Sequence, residues 1–150
     1  GAGKQVVFDP NIRPRLWTDK RTMLDSITAG ARAATLVMPS FDDETVNFGD
    51  ADIDATIARY RALGVSQLVV KDGAKGATLD FGGERSHAPA TQAISVVDTT
   101  SAGDSFNGAF LSRLVTGRTP QEAAIFAAKV AATVIGHHGA LIEPALLPHD

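Results

Sequence analysis

Hydrophobic residues along this chain follow two alternating patterns, which together predict strands and helices in turn. Short apolar runs of strand length are followed by stretches in which apolar residues recur every three or four positions, as on one face of a helix. The predicted strands are residues 5–9, 35–38, 67–70, 77–81, 85–88 and 94–97. The predicted helices are residues 20–34, 51–63, 106–114 and 120–136. This alternation indicates an α/β fold with a mostly parallel sheet, and Gly82-Gly83 predicts one antiparallel hairpin.

Two segments carry the residues that begin helices. Ser40-Phe41-Asp42-Asp43 and Thr119-Pro120-Gln121-Glu122 each place a hydroxyl residue three positions before an acid, which is the pattern of a capping box. The second segment also has proline at the first helical position, where the missing N–H would have no acceptor anyway. Gly64 is typical of the position just after the last turn of a helix. We therefore predict two capping boxes and a helix end at Gly64.

Composition narrows the class of protein. The chain has 150 residues, 44% of them hydrophobic and 21% charged, as expected for a globular domain with a sizeable core. The absence of cysteine excludes a disulfide framework and thiolate metal sites, and a net charge of −3 without a basic cluster argues against nucleic acid. No apolar run approaches membrane-spanning length, and we expect no signal peptide. We expect a cytoplasmic enzyme without membrane or nucleic-acid partners.

The segment 98–108 carries the strongest chemical signal. It lies between the apolar run 94–97 and a helical pattern, so it predicts a buried strand, a tight turn and a helix start. The first N–H groups of a helix lack acceptors and favour an anion. Asp104 stands in the same turn, which suits a phosphate held by backbone donors while the carboxylate accepts a proton from an attacking hydroxyl. The alternative is an acid that only complements the helix dipole.

Polar groups follow four of the predicted strands at their carboxyl ends. They occupy residues 9–13, 40–44, 71–76 and 101–104. Because open α/β sheets bind ligands at the carboxyl ends of their strands, we expect these four groups to converge on one site.

The segment Asp98-Thr99-Thr100-Ser101-Ala102-Gly103-Asp104-Ser105-Phe106 resembles the signature D-T-x-G-A-G-D-x-F of the ribokinase-like, or PfkB-type, carbohydrate kinases. The one departure is Ser101, which replaces a glycine and would be unfavourable if this position needs a positive φ. The resemblance implies a ribokinase-like three-layer α/β/α fold and phosphoryl transfer from ATP. It also implies that Asp104 is the general base, and that Ser101 and the N–H groups of Ala102 and Gly103 hold the transferred phosphate.

A second block, residues 9–17, resembles the D-x-N-x-R-x-x-L-W segment of the fructokinase and 2-dehydro-3-deoxygluconate kinase branch of that family. The resemblance implies that Arg13 binds a carboxylate or phosphate, for which a guanidinium is well suited. It implies that Asn11 positions a phosphoryl oxygen or a substrate hydroxyl. The residues alone leave an alternative, in which Pro10 and Asn11 form a turn and Arg13 is solvated.

Residues 70–76 resemble the K-x-G-x-x-G segment that lines the nucleotide in the family, which implicates Lys71, Gly73 and Gly76. Two glycines permit close approach of a backbone to phosphates or ribose. A plain turn before the hairpin is the alternative.

Two weaker resemblances concern adenine and magnesium. The alanine-rich helix and the turn after it flank adenine in the family, which implicates Ala128 and Gly139, although helix packing would select the same alanines. Ser40 and Asp43 occupy the two places of N-x-x-E, which relatives carry in the magnesium and phosphate network, and Glu44 is adjacent. The resemblance therefore implicates Asp43 and Glu44 in Mg²⁺ binding. Carboxylates suit Mg²⁺, normally through waters. A capping box with solvated acids is the alternative reading of these two residues.

Together the blocks predict that residues 1–150 are the C-terminal, nucleotide-binding half of a sugar kinase, with the N-terminal half and a lid outside the chain. The implied reaction uses ATP and Mg²⁺ to phosphorylate a primary hydroxyl of a small sugar or keto-sugar acid, foremost 2-dehydro-3-deoxy-D-gluconate. The alternatives are a fructokinase or other sugar kinase, and a nucleotide-binding module without catalysis of its own. A dehydrogenase is disfavoured because no G-x-G-x-x-G follows the first strand. We expect a homo-oligomer, and little kinase activity from the isolated chain.

Overall fold

The computed structural model of the chain describes residues 4–139 and 141–149. This part of the chain contains five strands and five helices. The strands are β1 (Val7–Phe8), β2 (Leu36–Val37), β3 (Gln67–Lys71), β4 (Ala77–Phe81) and β5 (Glu84–Ala88). The helices are α1 (Lys20–Ala33), α2 (Phe41–Phe48), α3 (Ile53–Ala62), α4 (Ala102–Val115) and α5 (Pro120–Val134). The strands form one sheet in the order β1-β2-β3-β4-β5, with β1, β2 and β3 parallel, so the predicted α/β class is confirmed.

The chain divides into two compact units, which are described separately. The first unit holds the described residues up to Asp72 together with Thr78–Ser86, and it contains the three parallel strands and α1 to α3. The second unit holds Gly73–Ala77 and the described residues from His87 onward, and it contains α4 and α5. Among the described residues no helix is both long and apolar enough to cross a membrane.

The first unit is built around the parallel strands. β2 is buried along its length and β3 at its three central residues, and apolar residues of α1 and α3 join them in one core. The buried members of this core are Ala31, Ala34, Val37, Ile57, Tyr60, Val65, Leu68 and Val70. Close packing of α1 on β1 depends on Gly30, where a Cβ would lie only 2.9 Å from Cζ of Phe8. Removal of this apolar surface from water is the main stabilising contribution to the unit.

A buried ionic cluster fixes α2 against α3. Arg59 Nη2 donates to Glu44 Oε2 at 2.5 Å and to Asp50 Oδ2 at 2.7 Å, and Tyr60 Oη donates to Glu44 Oε1 at 3.1 Å. The Arg59 guanidinium also lies 3.9 Å from the centre of the Phe48 ring. Burial raises the pKa of Glu44 to about 7, although Arg59 and Tyr60 act to lower it. Removal of any one partner would leave a buried charge uncompensated, so the cluster holds the two helices together.

β4 and β5 form the predicted hairpin. Gly82 and Gly83, both at positive φ, connect the two strands, and Gly83 N donates to Asp80 Oδ1 at 3.1 Å. Asp80 is buried and also pairs with Arg61 and Arg85. Burial alone would raise the pKa of Asp80, but the hydrogen bonds from Arg61 and Gly83 keep it below its usual value. The turn is therefore tied to the body of the first unit by one carboxylate.

The second unit is built on the pair α4–α5. Phe106 and Phe110 are buried on successive turns of α4, with ring centroids 6.3 Å apart. α5 contributes a row of small buried residues that permit close helix packing, namely Ala123, Ala124, Ala127, Ala128, Val130 and Val134. The capping box predicted at the start of α5 is confirmed, because the side chains of Thr119 and Glu122 each accept from the other's backbone N–H.

The strand predicted at residues 94–97 is wrong. The segment has no strand assignment, and the side chain of Ile94 is fully exposed. The backbone N–H of Val97 donates to Ile135 O, at the end of α5, with a distance of 2.7 Å. An apolar run becomes a strand only where a neighbouring strand accepts its backbone hydrogen bonds, and here a helix end takes that place. The signature segment therefore follows irregular backbone and not a buried strand.

Two predictions around α2 and α3 also need correction. The capping box at Ser40 is wrong, because Ser40 is the N-cap residue of α2 but its side chain makes no capping hydrogen bond. Its backbone instead forms an isolated parallel bridge with Lys71, so this residue extends the sheet. The helix predicted at 51–63 begins at Ile53, because the side chain of Asp52 caps it.

Candidate functional site

The residues that follow β1, β2 and β3 meet at one edge of the sheet in the first unit. Lys71 Nζ, at the end of β3, lies 3.1 Å from Asp9 Oδ2, just after β1. Ser40, after β2, pairs with Lys71 through the backbone bridge. Parallel pairing in register places successive strand ends side by side. Members of three of the four predicted strand-end groups, Asp9, Ser40 and Lys71, are therefore brought together. Residues 73–76 and 101–104 lie in the second unit.

The turn after β1 presents Asn11 and Arg13. Asp9 Oδ1 accepts from the backbone N–H of Asn11 at 3.0 Å, and Asn11 adopts a positive φ of 38°. The next residue, Ile12, is buried and anchors the turn in a small cluster with Met23 and other residues of α1. Asn11 and Arg13, on either side of Ile12, are both exposed. The turn thus offers an amide and a guanidinium to a ligand at the strand edge.

Asp43 belongs to the same edge. Burial raises the pKa of Asp43, while the charge of Arg13 and a hydrogen bond from the backbone of Ile12 lower it, and the nearby charge of Asp9 raises it further. These electrostatic neighbours place the Asp43 carboxyl beside the turn after β1. Its position at the start of α2 and its partial exposure leave it accessible to a ligand.

Glu44 points into the protein and not toward this edge. Its side chain is completely buried, and both carboxylate oxygens accept hydrogen bonds, from Arg59 and Tyr60. Adjacent helical residues point about 100° apart, so Asp43 and Glu44 face different surroundings. The structure thus separates the two acids predicted to serve Mg²⁺, and only Asp43 remains suited to that role.

The donor set around Asp43 fits Mg²⁺ only in company with phosphate. Among the described residues no group of three histidine or acidic side chains could hold a metal ion. Mg²⁺ keeps several waters and is commonly bound through one or two carboxylates plus the phosphates of a substrate. One accessible carboxylate satisfies that pattern, so Asp43 would contact the ion directly or through water when a nucleotide is bound.

In the second unit the signature segment forms a tight turn and the first turn of α4. Ser101 is the N-cap residue, and α4 begins at Ala102. The N–H of Ala102 donates to Thr99 O at 3.2 Å, whereas helix geometry leaves the N–H groups of Gly103 and Asp104 without intrahelical acceptors. Gly103 and Asp104 are exposed. The donors that this turn offers to an anion are therefore Gly103 and Asp104 rather than Ala102.

Asp98 is a site residue that the sequence analysis left out. Its Oδ1 accepts from Thr100 N at 2.8 Å, and its Oδ2 accepts from Gly139 N at 3.1 Å. Hydrogen bonds from Thr100, and then from Gly139, lower the pKa of Asp98. One carboxylate thus ties the phosphate turn to the turn after α5 that was predicted to flank adenine. The sequence signal was an aspartate two residues before a threonine in a turn-forming segment, a pattern typical of Asx turns.

Packing within the chain accounts for two of the four remaining predicted nucleotide residues. Gly76 has a φ of 95°, and a Cβ there would lie 2.2 Å from Ala88 O, so the chain itself requires glycine. Gly73 begins a short 3₁₀ turn and has open space above it. Ala128 is buried within α5. Gly73 and Gly139 therefore keep an open surface for a ligand, while Gly76 and Ala128 are explained by packing.

A cleft of about 710 Å³ in the second unit opens beside the phosphate turn. Ser101 and Asp104 line it together with Gly108, Val130, Leu147 and other mostly apolar residues. Clefts of this size, mostly apolar with a few polar groups, are typical of small-molecule sites.

Residues 2–146, nearly the whole chain, match the family described as pfkB family carbohydrate kinase. The chain belongs to the pfkB family. The resemblance drawn from the signature segment is thereby confirmed.

The relatives of this pfkB chain include kinases for two kinds of sugar. The chain is 34% identical over 149 residues to 2-dehydro-3-deoxygluconokinase of Dickeya dadantii, a match that covers 97% of this chain and 48% of that enzyme. It is 34% identical over 131 residues to a fructokinase of Klebsiella pneumoniae, with coverage of 87% and 42%. The chain thus spans about half the length of the curated relatives it matches.

A solved structure supports the ribokinase-like fold. The crystal structure of a putative ribokinase II from E. coli in complex with ATP and Mg²⁺ matches with a TM-score of 0.81 at 28% identity. The match covers 92% of this chain and 44% of that chain. The predicted ribokinase-like architecture is therefore confirmed.

Ser101 departs from the family glycine at a position where the backbone favours glycine. Its φ is 71°, in the left-handed region, and its side chain makes no capping hydrogen bond. A left-handed conformation is unfavourable for residues that carry a Cβ. The pfkB chain therefore carries local strain at the start of its phosphate turn.

We predict that Ser101→Gly raises the free energy of unfolding by about 1 kcal/mol, because glycine adopts this backbone without a Cβ clash. Ser101→Ala is the matched control and should stay near wild type, since it keeps the Cβ and loses no capping bond. Chemical denaturation of the three proteins gives the comparison. A Ser101→Gly protein no more stable than Ser101→Ala would show that the turn is unstrained.

Proposed function

We propose that this chain provides the nucleotide-binding part of a kinase that transfers the γ-phosphate of ATP to a primary hydroxyl of 2-dehydro-3-deoxy-D-gluconate. The observation that carries the proposal is the exposed carboxylate of Asp104 on the first turn of α4, next to the free helix-start donors at Gly103 and Asp104. The family and the 2-dehydro-3-deoxygluconokinase of Dickeya dadantii support phosphoryl transfer to a sugar. The choice of sugar acid rests on the turn after β1.

The chemistry at the phosphate turn needs a base and an anion site in one place. The substrate hydroxyl oxygen forms a bond to the γ-phosphorus, the bond from that phosphorus to the β–γ bridging oxygen breaks, and the hydroxyl proton goes to Asp104. ADP leaves with the bridging oxygen. The N–H groups of Gly103 and Asp104 favour the charge that develops on the transferred group, and preorganised donors of this kind lower the barrier.

A carboxylate beside an anion site repels phosphate, and a role as proton acceptor in the reaction explains why it stands there. An acid that only complements the helix dipole can stand at the start of any helix and needs no fixed turn before it. Here the acid follows a strained residue, Ser101, and a turn that Asp98 fixes by two hydrogen bonds. This degree of preorganisation supports a catalytic position for Asp104.

Each unit separately offers residues that we assign to the metal or the nucleotide. Mg²⁺, with Asp43 as its protein ligand, would supply positive charge against the phosphates. We assign Lys71 to the nucleotide from its position at the strand edge, and Gly73 from its exposed turn. Gly139, hydrogen-bonded to Asp98, would border the base.

The sugar-binding role belongs to the turn after β1. Arg13 is exposed and close to Asp43, so its guanidinium is available to pair with a substrate carboxylate in a bidentate manner. Asn11 would contact a substrate hydroxyl. A fructokinase is the second candidate, because the Klebsiella pneumoniae fructokinase matches with the same identity. A neutral ketose has no carboxylate for Arg13, so Arg13 distinguishes the two candidates.

Asp104→Asn, in the complete polypeptide that contains this chain, should reduce kcat by roughly two to four orders of magnitude, because it removes the general base. ATP affinity should stay close to that of the wild type. Asp25→Asn is the matched control on an exposed face of α1, where the aspartate pairs with Arg21 at the surface. Turnover of Asp104→Asn within a few-fold of wild type would make Asp104 a helix-start acid and overturn the mechanism.

Arg13→Ala tests the identity of the sugar. If Arg13 pairs with a substrate carboxylate, kcat/KM for 2-dehydro-3-deoxy-D-gluconate should fall by about 100-fold, since a lost charged pair costs a few kcal/mol. Activity on fructose, if present, should change little. Arg21→Ala is the control, an arginine with a well-exposed side chain in the same unit. Equal losses on both sugars would assign Arg13 to a phosphate, and the sugar-acid proposal would fail.

A further inference from the structure

The carboxylate of Asp9 binds groups at two different strand ends. Oδ1 accepts from the backbone N–H of Asn11 at 3.0 Å, and Oδ2 accepts from Lys71 Nζ at 3.1 Å. The side chains of Asp9 and Lys71 are 25% and 13% exposed, so water only partly screens this ion pair. One side chain thus connects the turn after β1 with the end of β3.

The first arm of Asp9, its hydrogen bond with Asn11 N–H, fixes the backbone of the turn. Asn11 has a φ of 38°, a conformation that non-glycine residues seldom adopt and that asparagine tolerates best. The hydrogen bond from Asn11 N–H to a side chain two residues earlier is the interaction that stabilises such a turn. Ile12 then enters the core, and Arg13 emerges at the surface. Loss of the Asp9 acceptor would therefore change where both Asn11 and Arg13 point.

The second arm of Asp9, its ion pair with Lys71, holds the flexible side chain of that lysine in place. A lysine ammonium on its four-carbon stem has many conformations, and an ion pair with a partly buried carboxylate selects one of them. The Ser40 bridge holds the Lys71 backbone, and Asp9 holds the ammonium at the other end of the side chain. Lys71 is thereby placed at the strand edge before any ligand binds.

We propose that Asp9 is a positioning residue that aligns the sugar-binding turn and the nucleotide-side lysine through one carboxylate. The inference rests on the proposed function, because it assigns Asn11 and Arg13 to the sugar and Lys71 to ATP. Asp9 itself contacts neither substrate. Its effect is transmitted separately through its two oxygens, so the two arms can be removed one at a time.

Asp9→Asn should remove the ion pair with Lys71 and keep the hydrogen bond with Asn11 N–H. Asparagine keeps an oxygen for the Asn11 N–H but turns an amide group toward Lys71, so KM for ATP should rise about tenfold while KM for the sugar acid stays within about twofold. Asp9→Ala removes both arms and should raise both KM values. Steady-state kinetics with each substrate varied in turn measure the split.

Lys71→Met and the double variant Asp9→Asn/Lys71→Met test the coupling. If Asp9 acts on ATP through Lys71, the double variant should have the KM for ATP of Lys71→Met alone, because the two substitutions remove the same arm. Asp19→Ala is the matched control. Asp19 also accepts a backbone N–H, that of Thr22 at 2.8 Å, but at the start of α1, so its loss should lower Tm without a KM split.

The outcomes are distinguishable. A wild-type protein that transfers no phosphate overturns the proposed function and this inference with it. An active wild type with unchanged KM values in Asp9→Asn and Asp9→Ala overturns the positioning role alone. If Asp9→Ala fails to fold, Asp9→Asn still decides, because a purely structural role would lower its Tm and raise neither KM selectively. Additive effects in the double variant would also overturn the proposal.

Discussion

Parallel pairing of β1, β2 and β3 is the constraint on which the rest of the first unit depends. The register joins Phe8 to Val37 and Val37 to Leu68, so all three strands end at one edge. Backbone hydrogen bonds inside a buried sheet leave little freedom to shift that register, because a slip by one residue would turn the core residues outward. Every side chain assigned to the edge, from Asp9 to Lys71, owes its position to this pairing.

The acidic side chains fall into two groups, those that stabilise the fold and the one to which we assign the reaction. Glu44 and Asp80 are buried and paired with arginines, so they stabilise helices and hairpin and are closed to ligands. Asp9 and Asp98 each use two oxygens to hold a turn and a second element. Asp104 is exposed at the start of α4. The fixed aspartates hold the turns, and the exposed Asp104 is the one to which we assign the reaction.

The sequence was sufficient where local pattern and tertiary packing agree. Alternating periodicities predicted the α/β class, and Thr119 with Glu122 predicted a capping box that the structure contains. It was insufficient where a residue distant in sequence supplies the hydrogen-bond partner that determines the local structure. The apolar run 94–97 has no strand to accept its backbone hydrogen bonds, and Ser40 is used by the sheet and not by a cap. Helix geometry turns Asp43 and Glu44 about 100° apart, but which of the two faces inward depends on where Arg59 lies, and adjacency in sequence does not reveal that.

In the function we propose, nucleotide affinity comes from backbone donors at the start of α4. Calorimetric titration of the 150-residue chain with ATP, inorganic triphosphate and adenosine measures their contribution. We expect saturable one-to-one binding of ATP, detectable binding of triphosphate, and much weaker binding of adenosine, because charge on the ligand is what the helix start favours. Equal affinity for ATP and adenosine, or no saturable heat with ATP, would show that these donors do not hold a nucleotide.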